Sequence, residues 1–356
     1  MKNRQLVLED GTVFIGKGFG SDIIKYGEVI FNTNMTGYQE MITDPANLNQ
    51  IIVTAYPVIG SYGINRDDSE AINPSINGLV VKEINEFPSN FRNEESLSDY
   101  MKTYEIPGIS GIDTRYLIQL LRDKGTLKGA IASLDLSKDV ILSRLKNKHS
   151  VGDEVSQSSI AKPYIVPGSK HRIVAVDLGM KQSVLKELTG RNCDVTVVPY
   201  DYSASQILRF KPDGVIISNG PGDPQVLESN VEVIKELIGK TSLLGVGLGH
   251  QLFALANGAK IDRMKYGNHS SSYPVREIKS GVSRLTMQNC HFTVNLDSLT
   301  DTDLVITHEG LNDQSIQGLA LTNKQAMSVQ FNPEGAPGTN EANEIFDVFL
   351  STIKDN

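Results

Sequence analysis

From His171 onward the chain repeats one pattern: a short apolar strand, a turn and an amphipathic helix. Residues 173–176 precede a helix over 181–188, and residues 194–198 precede one over 204–210. Strand 214–217 leads through the loop SNGPGDP (218–224) to a helix over 231–238. Residues 243–246 then run through a glycine-rich corner into a helix carrying Gln251, Leu252, Ala254 and Leu255. Strands alternating with helices in this way admit few arrangements. The expected fold is α/β, with a doubly wound, mostly parallel sheet and helices on both faces. Ligands of such sheets sit beyond the carboxyl ends of the strands, where both SNGPGDP and GVGLGHQ (245–251) fall. A strand over 328–331 and a final helix over 341–353, with Thr339 as its N-cap, complete the layout.

The first part of the chain reads as α+β, with strands at 5–8, 29–32, 50–53 and 78–81 and helices near 96–103 and 114–124. Between the two patterns lies the polar segment 147–170, with two prolines and two glycines, which is expected to be a linker. At 356 residues two domains are natural, here 1–146 and 171–356. Hydrophobic residues at 39% and charged ones at 21% describe a folded soluble protein. A net charge of −8 without a basic cluster argues against nucleic acid as a partner. The start has no signal-type apolar core and no run reaches membrane length, so no membrane partner is expected. Cys193 and Cys290 are the only cysteines, which fits a reducing cytoplasm. Neither C-x-x-C nor H-E-x-x-H spacing occurs, so no metal is expected.

Two glycine motifs resemble nucleotide sites and are set aside. GKTS (239–242) has Ile234 where a phosphate-binding loop needs its first glycine, and it precedes a strand instead of following one. GKGFG (16–20) is read as a turn. The chain is therefore expected to bind no ATP of its own.

The stretch 243–256 is a strand, a sharp turn and a helix, the place where many α/β enzymes mount a nucleophile. The residue at the tip is Gly247, which has no side chain. SNGPGDP, G-x-GLGHQ and VQFNPEGAPG (329–338) together resemble a class I glutamine amidotransferase domain. FNTNMTGYQEMITDP (31–45), SNFRNEESL (89–97) and GIDTRYLIQLLRDKG (111–125) resemble the amino-terminal domain of the carbamoyl-phosphate synthetase small subunit. The resemblance runs from about Leu6 to the final helix.

That resemblance implies a chemistry. In the family a cysteine attacks the amide carbon of glutamine, a histidine activates it, and a glutamate orients the histidine. The released ammonia passes to a large subunit, which uses ATP and magnesium to make carbamoyl phosphate from bicarbonate, for arginine or pyrimidine synthesis. The resemblance thus implies a cytoplasmic heterodimer with the large subunit as partner, glutamine or ammonia as nitrogen source, and no cofactor on this chain. The nucleophile position falls on Gly247, the base on Asn332 and the carboxylate on Glu334. Glutamine-binding positions fall on Ala46, Gly220, Gly222, Leu248, Gln251, Asn289, His291 and Phe292. The family usually has serine at Ala46 and glycine at His291, so positions 46, 247, 291 and 332 all depart around one site.

Glycine cannot form a thioester, and a neutral asparagine amide is no useful base near neutral pH. Loss of nucleophile or base from a triad costs on the order of 10⁶ in turnover. Plainer readings stand beside this one. Gly247 also suits a strained elbow that only glycine adopts cheaply. His250 is structural in the family, Glu334 without an imidazole is a remnant that bonds locally, and the RNEES run around Arg92 is solvated surface. Three functions remain open: a small subunit that has lost glutaminase and supports an ammonia-using large subunit; a detached binding or regulatory protein of the same fold; and a glutaminase rescued through Cys290 with His291 as base.

Overall fold

The computed structural model describes residues 2–147 and 152–353. It divides into two compact units, Met1–Val151 with Lys265–His269, and Gly152–Met264 with Ser270–Asn356.

The first unit opens with β1 (Asn3–Leu8), β2 (Val13–Gly20), β3 (Lys25–Asn32), α1 (Tyr38–Thr43), β4 (Ile51–Thr54) and β5 (Val58–Ile59). It continues with β6 (Gly78–Val80), β7 (Glu83–Ile84), α2 (Leu97–Thr103), β8 (Pro107–Ser110), α3 (Thr114–Lys124), β9 (Leu127–Ser133) and α4 (Lys138–Asn147). Seven strands close into a barrel in the order β1-β2-β8-β6-β4-β3-β9, with β9 returning antiparallel to β1. The two expected helices are present because local chemistry specifies them. Ser96 accepts the Asp99 N–H at the start of α2, and Asp113 accepts the Tyr116 N–H at the start of α3.

GKGFG lies inside β2, not in a turn. A Cβ on Gly18 would come within 2.5 Å of the Arg4 side chain, so glycine there marks a close approach within the barrel. Arg4 is buried, and its guanidinium donates to Phe19 O at 2.6 Å, Gly108 O at 2.9 Å and Asp22 Oδ1 at 2.7 Å. Arg92 is more than solvated surface, since it donates to Asp68 Oδ1 at 2.7 Å and Asn65 Oδ1 at 3.0 Å. The boundary at 146 also misses Lys265–His269, which groups with the first unit: Thr126 and Thr33 donate their N–H groups to Lys265 O and His269 O.

The second unit begins with α5 (Glu154–Ser158), β10 (Tyr164–Val166), β11 (Arg172–Asp177), α6 (Gln182–Gly190), β12 (Asp194–Pro199), α7 (Ala204–Leu208) and β13 (Gly214–Ile217). Then come α8 (Glu228–Leu237), β14 (Ser242–Val246), α9 (Leu248–Ala256), β15 (Ile261–Glu277), β16 (Ser283–Val294), β17 (Leu304–Gly310), β18 (Ile316–Leu321), β19 (Ala326–Val329) and α10 (Glu344–Ser351). They form a ten-stranded sheet, β10-β12-β11-β13-β14-β19-β18-β17-β15-β16. Strands β12, β11, β13, β14 and β19 run parallel, while β18 and β17 extend the sheet antiparallel.

Side chains alternate across the parallel strands. Val174, Val176, Val215 and Ile217 pack on one face with Ile207, Ile234 and Leu252. Ile173, Ala175 and Ile216 pack on the other with Val184, Leu188, Phe346 and Phe349. This two-faced burial is why the strands read as continuous apolar runs.

The segment expected as a linker is partly structured. Beyond residues 148–151, which lie outside the described residues, α5 is followed by β10, an edge strand antiparallel to β12. The Ile160 N–H also donates to Asp177 Oδ2 at 2.8 Å. Thr339 does not cap the final helix. Its hydroxyl donates to Leu285 O, and α10 starts later, after Asn343. No helix among the described residues is long and apolar enough to cross a membrane, and none of their His, Cys, Asp and Glu side chains form a cluster fit for a metal.

Candidate functional site

Strand β14 is buried along its length and turns sharply at Gly247, where φ is 56° and ψ −109°. A side chain rarely adopts this backbone, so the tip position carries strain for any residue but glycine. The flanking glycines serve packing. A Cβ on Gly249 would lie 2.1 Å from Ile217 O, and one on Gly245 would lie 2.5 Å from Gly249 O. The corner is held by two hydrogen bonds, Gly247 N–H to Val329 O at 2.9 Å and Gly249 N–H to Ser218 O at 3.1 Å. The elbow thus keeps its form without a side chain at the tip.

Asn332 stands opposite. It is buried, its N–H donates to Met287 O on β16 at 2.8 Å, and its Oδ1 lies 3.7 Å from the point a Cβ on Gly247 would occupy. The positions assigned to nucleophile and base therefore meet across the elbow. Asn219 of the SNGPGDP loop closes a third side, its Cβ 3.1 Å from the same point.

Glu334 is fully buried with a lysine. Lys181 Nζ donates to Glu334 Oε1 at 2.8 Å, both side chains are inaccessible to solvent, and Nζ also donates to Ala336 O. The Lys181 N–H reaches Asn219 Oδ1 at 3.4 Å. Lys181 thus ties the NPEGAP segment to the loop after β13. Glu334, expected to bond locally as a remnant, instead meets an ammonium 153 residues earlier in the chain.

The other expected positions lie on several elements. Leu248 and Gln251 are buried on α9. Gln251 Nε2 donates to Phe292 O at 3.2 Å and Gln330 Oε1 at 3.1 Å, so its amide protons are already engaged. Phe292 is buried on β16 under Arg263, whose guanidinium carbon is 5.8 Å from the ring centroid. Gly220 and Gly222 lie in the loop after β13, and a Cβ on Gly220 would strike Leu178 O at 2.2 Å. Asn289 and His291 share one face of β16 and are half-buried. Ala46 belongs to the first unit, on a short 3₁₀ turn, Pro45–Asn47, whose N-cap Asp44 accepts the Ala46 N–H.

Neither His250 nor His291 is set up as a base at the elbow. His250 is fully buried with Nδ1 2.9 Å from Ser328 Oγ, and burial pushes its pKa down to about 3. It joins α9 to β19, the structural role expected of it. Desolvation, with Arg263 nearby, lowers the His291 pKa to about 4. Cys290 and His291 are successive residues of β16, and successive side chains leave opposite faces of a strand. His291 is therefore not placed to activate Cys290, which points to the buried face with Phe292.

The resulting site holds a shaped elbow, buried carboxamides and a neutralised ion pair, with glycine and asparagine at the positions assigned to nucleophile and base. Lys181 and Asn219 were not among the expected site residues. Their signal was position: Lys181 follows the carboxyl end of β11 and Asn219 follows that of β13, the edge where such sheets place their chemistry.

Comparison with known proteins agrees with this architecture. A model of the carbamoyl-phosphate synthase small chain, CPSase domain, matches residues 6–131, and one of the class-I glutamine amidotransferase matches residues 174–352. The chain is 52% identical, over 99% of its length and 98% of that protein's, to the "Carbamoyl phosphate synthase pyrimidine-specific small chain" of Halalkalibacterium halodurans. It is 48% identical, over 99% and 97%, to the "Carbamoyl phosphate synthase small chain" of Oceanobacillus iheyensis. Against the protein of that name from Bacillus cereus strain ZK the figures are 50%, 99% and 96%.

Proposed function

Because the chain belongs to the carbamoyl-phosphate synthase small-chain family, we propose that it is the small subunit of such a synthase and has lost its own glutaminase. It binds a large, ATP-using subunit and supports formation of carbamoyl phosphate from free ammonia. The observation that carries this reading is the elbow itself. It retains the backbone of a nucleophile mount, yet its tip is Gly247 and the residue facing it is the amide of Asn332. A neutral carboxamide offers no proton acceptor strong enough for general-base work. Both domains of the family are matched in order, which favours a role beside a large subunit over that of a detached binding protein.

Co-expression with a tagged cognate large subunit tests the scaffold half of the reading. A stoichiometric complex that survives gel filtration is expected, and a glutamine-analogue alkylator should leave residue 247 and Cys290 unlabelled within it. Failure to form that complex would favour the detached protein. Labelling of Cys290 coupled to glutamate release would favour the relocated nucleophile.

A further inference from the structure

The second unit carries a groove, away from the elbow, that the chemistry described above does not use. It measures about 750 Å³ and lies between α8 and the stretch that leads from the end of α9 into β15. Its floor is apolar: Val231, Leu255, Ala259 and Ile261 line it, and all four pack into the core beneath. Its rim is acidic. Glu228, Glu232 and Asp262 stand on it, and Lys260 is the one cation among the residues that line it. All four of these charged side chains are exposed.

The rim charge is only partly answered. Glu232 is held by Lys235 at 2.7 Å, whereas Asp262 Oδ2 accepts from the neutral Asn295 Nδ2 at 2.7 Å. Glu228 has no cationic partner among the described residues. Elsewhere in this unit carboxylates bring their own counterion, as Glu187 and Asp347 do in Arg191. An apolar floor between unanswered carboxylates is the complement of a helix with one apolar stripe and basic flanks.

The groove is also continuous with the elements of the site. Leu255 belongs to α9, the helix that starts at the elbow, and Pro224 at the groove's edge ends the SNGPGDP loop. Gln225 Nε2 donates to Ile261 O at 3.2 Å and so ties that loop to the floor. Arg263, one residue beyond Asp262, lies over Phe292. A body seated here touches α9, the loop after β13 and the start of β15 at once. In a chain of this family the body that must be coupled to the site is the large subunit.

We propose that the groove takes a basic, amphipathic helix of the large subunit. The apolar stripe of that helix rests on Leu255 and Ile261, and its cations meet Glu228, Glu232 and Asp262. The inference rests on the reading of the chain as a synthase small subunit.

The test uses the full-length chain with its cognate large subunit. Ser229→Cys on the exposed rim, carrying a photo-activated cross-linker, should attach to a lysine- or arginine-rich helix of the large subunit; Cys193 and Cys290 are buried and do not compete for the label. Glu228→Lys combined with Glu232→Lys should weaken the complex roughly tenfold or more and flatten its salt dependence. Glu236→Lys, exposed on the same helix but outside the groove, should change the affinity by no more than about twofold. Thermal unfolding of each variant alone establishes that it folds, and the cross-link decides even if the charge reversal does not. Cross-links to a second copy of the chain, no cross-link within an intact complex, or an affinity unmoved by the charge reversal would each overturn this inference and leave the subunit reading standing. Failure to form any complex with the large subunit removes both.

Discussion

Gly247→Cys and Asn332→His, introduced together, should bring back a weak glutaminase with a high KM, while either change alone leaves glutamate release at background. The single changes fail for separate reasons. A cysteine without a base is only about a few per cent thiolate at neutral pH, and a histidine without a thiol has nothing to activate. Together they are well placed. A Cβ on residue 247 points at the Asn332 side chain 3.7 Å away, so a thiol and an imidazole at these positions come within reach of each other. A positioned general base then contributes roughly 10²–10⁴ in rate.

Two costs hold the double variant below a full enzyme. The backbone at φ 56° charges a side chain on the order of 1 kcal/mol or more, and the new Cβ must move a few tenths of an ångström from Asn219 Cβ at 3.1 Å. Glu334 is the second, because its carboxylate is already committed to Lys181. Adding Ala46→Ser and His291→Gly, which restores the residues usual in the family, should give the largest gain, mainly in KM. Steady-state glutamate release across the series decides it. Full activity in the double variant would mean that positions 46 and 291 are neutral drift.

Lys181→Met should destabilise the protein by about 3–5 kcal/mol, the usual penalty for leaving one partner of a buried ion pair uncompensated. Both side chains are inaccessible to solvent, and Lys181 also holds Ala336 O, so little relaxation is available. The double variant Lys181→Met/Glu334→Gln should recover a large part of the loss, since no lone buried charge remains. Chemical denaturation of the two variants checks this. A loss below about 1 kcal/mol in Lys181→Met would indicate that water reaches the pair.

What could be read from the residues was what local chemistry specifies. Helix α3 and strand β13 match the expected residues because Asp113 and Gly125 bound the helix and an unbroken apolar run makes the strand. The elbow was legible for the same reason: Gly245 and Gly249 answer contacts within a few residues of the turn or in the adjacent strand. Barrel closure was not legible. It pairs β1 with β9, more than a hundred residues along the chain, and the small residues of LKGAIAS carry little pattern. The assignment of Lys265–His269 to the first unit is equally non-local. In the segment expected as a linker, polar composition hid an edge strand, whose exposed Tyr164 and Ile165 need no apolar alternation. Lys181 was missed because a lysine at a helix start ordinarily reads as solvated, and only the fold brings Glu334 to it.

The central claim is that this family member supports synthesis without cutting glutamine. The most direct measurement is carbamoyl phosphate formation by the purified complex with its cognate large subunit, given ATP and bicarbonate with either ammonium or glutamine as nitrogen source, while glutamate is followed in parallel. The account predicts turnover with ammonium, none above background with glutamine, and no glutamate. Glutamine-supported turnover with one glutamate released per carbamoyl phosphate would contradict it.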